Sequence, residues 1–345
     1  MNLKELSNRL NLSQTTVSRA LNGYPEVSAK TRQRVVDMAR DLGYAPNQQA
    51  QRLATGKTMS IGHVLPRSPN EMLNPIFMEF IAGAGLTYAQ YGYDMMISVV
   101  ANDDEEAIYR EIANRKKVDG IIVHAPRRQE TRHKLLKKLN IPFLMHGRIT
   151  GAEAETSWVD INNRRAFERA TQFLLDLGHR RIGFLNGNEE MEFAIRRKEG
   201  YINALTKAGC EIDPTLMHSS EMTEPLGTEF ALNLLRSSNP PTAFLTSSIT
   251  LAIGAETAVK SNGLQVGNDV SIITHDDVIS FLPNSGESPH FTCIRSSVGE
   301  AGQRAAEILI TDIIDQESND RHVTHMMEAD LILGQSTGPA LQNRG

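Results

Sequence analysis

Residues 2–44 leave the start of this chain little freedom beyond a small bundle of three short helices. In Leu3-Lys-Glu-Leu6-Ser-Asn-Arg-Leu10 the leucines recur at i, i+3 and i+7, the stripe of one helix face. Asn2 stands at the N-cap with Glu5 three residues on, a capping-box spacing. Asn11-Leu12-Ser13 reads as a tight turn, and Ser13 suits the N-cap of a second helix. On that helix Val17, Ala20 and Leu21 fall on one side, while Gln14, Thr15, Ser18 and Arg19 fall on the other. The polar side is more than a small core requires. It suits a DNA major groove, where Gln pairs with adenine, Arg with guanine, and Ser or Thr with base edges or phosphate. Ser28 caps a third helix that stops at Gly43, with Val35, Met38, Ala39 and Leu42 as its buried stripe.

Charge divides the chain at the same place. Residues 1–60 hold nine Lys and Arg against four acids, a net of +5 in a chain whose total is −5. A basic head on an acidic body directs a polyanion to the head alone. Lys30 and Arg32, at the start of the third helix, are placed to touch phosphate. After Ala45-Pro46, residues Asn47 to Ala54 make at most one short helix, too short to stand alone in water.

The run from Ser13 through Thr16 and Arg19 to Asn22, then Val27 to Arg32, Leu42 to Asn47 and Ala50-Gln-Arg-Leu53, resembles the head of the lactose-repressor (LacI) family of bacterial transcription regulators. The resemblance continues through nearly the whole chain. It implies DNA contacts from Ser13, Gln14, Thr15, Thr16, Ser18, Arg19, Asn22, Ser28, Lys30 and Arg32. It also implies a hinge in which Asn47, Ala50 and Leu53 meet the minor groove, Leu53 as an apolar wedge. The expected layout is a helix-turn-helix domain over 1–46, a hinge and linker over 47–57, and an effector-binding and dimerisation body over 58–345.

The body alternates β-rich and helical runs. Ser60–Leu65, Asp94–Val100, Gly120–His124, Ile141–Met145, Arg181–Leu185, Thr242–Thr246 and Val270–His275 read as strands, with helical patterns between them. Such repetition predicts parallel sheets covered by helices on both faces. The number of units, with a break near Thr150–Thr156, predicts two lobes. A cleft between two such lobes, at the carboxyl ends of strands, is the expected small-molecule site. The resemblance implies the same α/β body, of periplasmic-binding-protein type.

Candidate cleft residues follow from chemistry and position. Arg197 opens a helix after the Phe184–Asn188 loop, matches the family's Arg-x-x-Gly-aromatic pattern, and offers a guanidinium fork to hydroxyls or carboxylate. Asp276 follows an apolar strand and can accept from sugar hydroxyls, with Asp277 beside it as a helix cap. Ser247 and Ser248 follow another strand, in a segment where the family often carries Asn-Asp and this chain has Ser248-Ile249. His146-Gly147-Arg148 resembles a variant found in members that bind α-glucosides, and both side chains donate to sugar oxygens. Phe77 and Trp158 are candidates to stack on a sugar face. Asn74 precedes Phe77. Asp160 and Asn163 fall at the lobe crossing, as hinge caps or ligand contacts.

Other functions lack their residues. The Gly183–Asn188 segment has neither a dinucleotide nor a phosphate-loop spacing, so no cofactor is expected. His322 and His325 are a poor metal pair without a third ligand, and no catalytic constellation stands out. Two distant cysteines, no apolar run near the ~20 residues of a membrane span and no leading apolar segment point to the cytoplasm. The expected protein is a homodimeric repressor of carbohydrate genes on a palindromic operator, relieved by a disaccharide or α-glucoside. A regulator corepressed by a metabolite such as a purine is the alternative, and a stand-alone sugar-binding protein a more distant one.

Overall fold

In the computed structural model the chain forms two compact units, residues 1–59 and 60–345. The structure describes residues 2–21, 24–44, 56–66, 75–100, 105–280, 282, 284, 289–315 and 322–341. The expectations placed on Asn22, Asn47, Ala50, Leu53 and Asn74 lie outside these residues.

The head holds α1 (Leu3–Leu10), α2 (Gln14–Leu21) and α3 (Ala29–Asp41). The Asn2 side chain accepts from Glu5 N at 3.0 Å and the Glu5 carboxylate accepts from Asn2 N at 3.1 Å, which completes the capping box. Asn11 ends α1 at φ +55°, a left-handed conformation that Asn tolerates better than most residues. Ser13 Oγ accepts from Thr16 N, and Ser28 Oγ from Thr31 N, starting α2 and α3. Leu6, Leu10, Val17, Ala20, Val27, Val35 and Ala39 form the core. Arg34 adds a bond that the sequence pattern does not show: its guanidinium donates to Leu10 O at 2.6 Å, at the end of α1.

The body is two six-stranded sheets. The first has the order β11-β5-β4-β3-β1-β2 and the second β12-β10-β9-β8-β6-β7. Here β1 is Ser60–Pro66, β2 Asp94–Val100, β3 Gly120–His124, β4 Phe143–His146, β5 Trp158–Ile161 and β6 Ile182–Asn186. Then β7 is Met217–Ser219, β8 Ala243–Thr246, β9 Ser271–Asp276, β10 Thr292–Arg295, β11 Thr324–Met327 and β12 Asp330–Ile332. All pairings are parallel except β10 with β12. The central strands are buried on both faces, as a sheet covered by helices requires.

The helices are α4 (Pro75–Tyr91), α5 (Glu105–Asn114), α6 (Arg132–Lys138), α7 (Asn163–Asp176), α8 (Glu192–Lys207), α9 (Glu224–Leu235), α10 (Ile249–Ser261) and α11 (Val298–Ile308). A π-helical turn, Leu309–Ile314, continues α11. Helices α4 and α11 pack at backbone distance: a Cβ on Gly83 would fall 2.0 Å from Gly299 O.

One expectation needs correction. The Thr150–Thr156 break does not divide the lobes, because it joins β4 to β5 within the first sheet. The chain crosses between β5 and α7, again between β10 and α11, and finally between β11 and β12. The last two crossings involve strands the alternation did not reveal, since short edge strands lack a strong period. Helix α9 was also hidden, because Pro225 and Gly227 read as loop punctuation. Pro225 sits in the first turn, where its missing N–H costs nothing.

Candidate functional site

Between the lobes lies a cavity of about 210 Å³. The first lobe lines it with Phe77 and Phe80 from α4, His124 and His146 from the ends of β3 and β4, and Asp160 from β5. The second lobe supplies Asn163, Glu192, Phe193, Arg196, Arg197 and Asp277. Strand ends from both sheets thus meet at one place, as parallel topology directs.

Arg197 is 5% exposed and sits between the rings of Phe167 and Phe193, at 5.0 and 4.9 Å. Its Nε donates to Asn163 Oδ1 at 2.8 Å and its Nη1 to Ser247 O at 2.6 Å. Its Nη2 has no protein partner among the described residues. Burial lowers the guanidinium to about 10, against the pull of Asp277 and Asp160, so it remains charged at neutral pH. Asp277 lies across from it. Burial opposes its ionisation, but His275, Arg197 and His146 outweigh burial and hold its carboxyl below the usual value. Asp277 Oδ2 is buried with no hydrogen-bond partner. The cavity lining thus holds a carboxylate that can accept and a guanidinium N–H that can donate, the two functions a hydroxyl-bearing ligand needs.

His124 and His146 line the cavity on the first lobe, and His63 is buried outside the lining in contact with His124. Tyr88 OH lies 3.0 Å from His63 Nε2, His63 Nδ1 2.9 Å from His124 Nε2, and His124 Nδ1 3.4 Å from His146 Nδ1. Phe80 stacks on His146 at 4.3 Å and meets His124 edge-on. Burial holds all three neutral, with repulsion from neighbouring rings adding for His63 and His124 and Asp277 opposing it at His146: His63 at about 3, His146 at about 4, and His124 well below its ordinary value.

Bonds between the lobes close the cavity on both sides. Arg128 N donates to Glu190 O and Glu192 N to Pro126 O, a two-strand bridge from lobe to lobe. The Glu192 carboxylate accepts from Thr150 N at 3.1 Å and from Thr150 Oγ1 at 2.8 Å, and it pairs with Arg196. On the other side Glu79 accepts from Ser280 N and Oγ.

Of the cleft residues expected from sequence, the structure brings Phe77, His146, Asp160, Asn163 and Arg197 to the cavity. Five stand behind it. Asp276 accepts from Val278 N, Asn284 Nδ2 and Arg295 Nε, so the cleft position belongs to Asp277. Adjacent strand-end residues point to opposite faces, and one residue of register decides which carboxylate enters. Ser247 Oγ donates to Asn186 Oδ1, and Ser248 caps α10; both support the cavity wall from behind. Arg148 is paired with Asp160 at 2.8 Å. Trp158 is a core residue whose indole donates to Glu153 O, so no stacking face is offered. His63, His124, Glu192, Phe193 and Arg196 were missed, since none stands in a spacing that marks a ligand.

In the head, Gln14, Thr15 and Arg19 are exposed on α2 opposite the buried Val17 and Ala20. Ser18 is half-buried. Ser13 and Thr16 bond each other, and Ser28 caps α3. Lys30 is exposed, while Arg32 donates to Tyr24 O at 2.9 Å and braces the turn before α3. Among the described residues, no helix is long and apolar enough to cross a membrane.

A helix-turn-helix head in a chain whose body has two lobes and a cavity between them defines a ligand-responsive DNA-binding protein. Residues 2–47 match the model of bacterial regulatory proteins of the lacI family, and residues 171–337 a periplasmic-binding-protein-like domain. The chain is 43% identical over 340 residues to the HTH-type transcriptional regulator AglR of Rhizobium meliloti, covering 99% of this chain and 95% of that protein. It is 34% identical over 280 residues to the regulator RafR of Escherichia coli, covering 80% and 82%. The solved complex of the transcriptional regulator CelR with cellobiose shares 25% identity and superposes with a TM-score of 0.72, covering 97% of this chain and 99% of that one. The protein belongs to the lacI family of bacterial regulatory proteins, and it is a DNA-binding transcriptional regulator.

Proposed function

We propose that the protein is a cytoplasmic repressor that binds a palindromic operator as a homodimer and releases it when a neutral sugar, a disaccharide or α-glucoside, enters the cleft. The observation that carries the ligand class is the presence in one cavity lining of the Asp277 carboxylate, whose Oδ2 has no hydrogen-bond partner, and the Arg197 guanidinium with its spare Nη2, together with the Phe77 and Phe193 rings. Acceptor, donor and apolar ring faces together suit a polyol ring. The CelR structure, complexed with the disaccharide cellobiose, supports the same class. The remaining cationic groups of the cavity are matched: Arg132 by Glu130 and Glu105, Arg127 by Glu105, Arg196 by Glu192. A neutral ligand disturbs none of these pairs.

On DNA, Gln14, Thr15 and Arg19 read bases, with Ser18 at their side and Lys30 on phosphate. The hinge residues Asn47, Ala50 and Leu53 serve the minor groove. Domain limits of 1–46, 47–57 and 58–345 go with this reading. The ligand favours one lobe angle, and the angle sets the separation of the two heads on neighbouring major grooves. The test is operator selection from random DNA, then fluorescence anisotropy with and without maltose, trehalose, raffinose and cellobiose. One of these sugars lowers operator affinity, and Arg197→Ala removes the effect. A full sugar response in Arg197→Ala overturns the cleft assignment.

A further inference from the structure

We infer that Tyr88, His63, His124 and His146 form a hydrogen-bond chain of fixed polarity, which presents the His146 Nε2–H to the cavity as a permanent donor. The inference concerns the proposed effector site and rests on that reading for its ligand. It commits the site to a ligand atom that accepts a hydrogen bond at this wall.

The polarity follows from the far end. A neutral imidazole has one N–H and one lone-pair nitrogen, so in a chain of neutral imidazoles one choice of direction sets all the others. Tyr88 is 1% exposed, and its hydroxyl has one partner among the described residues, His63 Nε2. If His63 donated to Tyr88, the phenolic hydrogen would be buried without an acceptor. Tyr88 therefore donates, and His63 Nε2 is the lone-pair nitrogen. His63 then carries its proton on Nδ1 and donates to His124 Nε2 across 2.9 Å. His124 in turn carries its proton on Nδ1 and donates to His146 Nδ1 across 3.4 Å, the longest link. That leaves the His146 proton on Nε2, which has no protein partner among the described residues, on a side chain that lines the cavity.

Burial keeps the three rings uncharged, which is the condition for a one-proton-per-ring chain. Phe77 and Phe80 hold the His124 and His146 rings in orientation by edge and face contacts. The opposite wall offers the Asp277 carboxylate as acceptor. A ligand lying between them meets a donor on one side and an acceptor on the other. A glycosidic, ring or hydroxyl oxygen satisfies His146, whereas a donor-only group such as an ammonium is rejected there.

The test is heteronuclear NMR of the full chain, perdeuterated and labelled with 15N-histidine, since long-range proton–nitrogen correlations distinguish the two neutral tautomers and the imidazolium. Single histidine substitutions assign the signals. The expected result without any sugar is Nδ1–H on His63 and His124 and Nε2–H on His146. Tyr88→Phe removes the anchor, and His146, three links away, then loses its single tautomer, an effect that a packing role for Tyr88 does not produce. Finding Nδ1–H on His146, or Nε2–H on His63, in the unaltered protein overturns the inference. Maltose and cellobiose are then added: a bound sugar that moves the His146 Nε2 proton resonance supports the donor role, and one that binds without moving it refutes that role. If neither sugar nor any other neutral saccharide binds, the sugar reading fails while the tautomers stand.

Discussion

Acid weakens this protein through its buried histidines, by an amount the structure sets. His63 titrates at about 3 and His146 at about 4 in the folded chain, because burial disfavours the charged imidazolium. In the unfolded chain both return to about 6.5. Between these values the unfolded state binds protons that the folded state refuses. Stability is therefore complete above about pH 6.5 and falls as the pH drops toward about 4. At pH 5 each histidine stands about 1.5 units below its unfolded pKa, worth roughly 2 kcal/mol at about 1.36 kcal/mol per unit. His63 and His146 together account for about 4 kcal/mol, and His124 acts in the same direction. Against a typical total of about 5–15 kcal/mol, that is a large share. The assay is urea unfolding at pH 7 and pH 5, followed by fluorescence of Trp158, the only tryptophan, which is buried in the core of the first lobe. His63→Gln cannot titrate, so it must show a pH 7 to pH 5 loss smaller by about 2 kcal/mol than the parent. An identical loss in parent and variant refutes the reasoning.

Three further outcomes follow from the geometry. A Cβ at Gly200 would lie 2.2 Å from Arg164 O and 2.8 Å from Glu168 N, forcing α8 off α7; Gly200→Ala is expected to cost about 1–3 kcal/mol in urea unfolding and to weaken the sugar response through the Arg197–Asn163 bond. Glu192→Ala strips two bonds from Thr150 and leaves the buried Arg196 short of a partner, so the body loses roughly 1–3 kcal/mol and the Thr150 amide exchanges faster with deuterium, an effect absent if the two lobes do not rest closed on this contact. Gln14→Ala or Arg19→Ala should relax base preference in one part of each half-site by about 1–3 kcal/mol, while Lys30→Ala weakens all DNA sequences alike; base preferences unchanged in the first two variants would remove α2 from the reading face.

The head was legible in the chain itself, because its structure is local. The capping box at Asn2 and Glu5, the caps at Ser13 and Ser28 and the leucine stripe act over three or four residues, and that is the range a periodic pattern reports. The strand and helix alternation of the body was legible for the same reason, as was the cleft as a class of site. What remained hidden depends on which distant segments meet. The triple crossing between lobes rests on strands of three or four residues, whose pairing is chosen by the sheet they complete. Arg197 could be read from its motif, but not that Gly200 brings it onto Asn163 or that it lies between Phe167 and Phe193. The choice of Asp277 over Asp276 turns on one residue of register, and Trp158 was drawn into the core by its neighbours on the first sheet. The chain of His63, His124 and His146 joins three separate strands, 61 and 22 residues apart, through parallel pairing of β1, β3 and β4. No spacing along the chain encodes such a contact; only the folded sheet aligns the rings, and only their burial together with Tyr88 fixes where the protons sit.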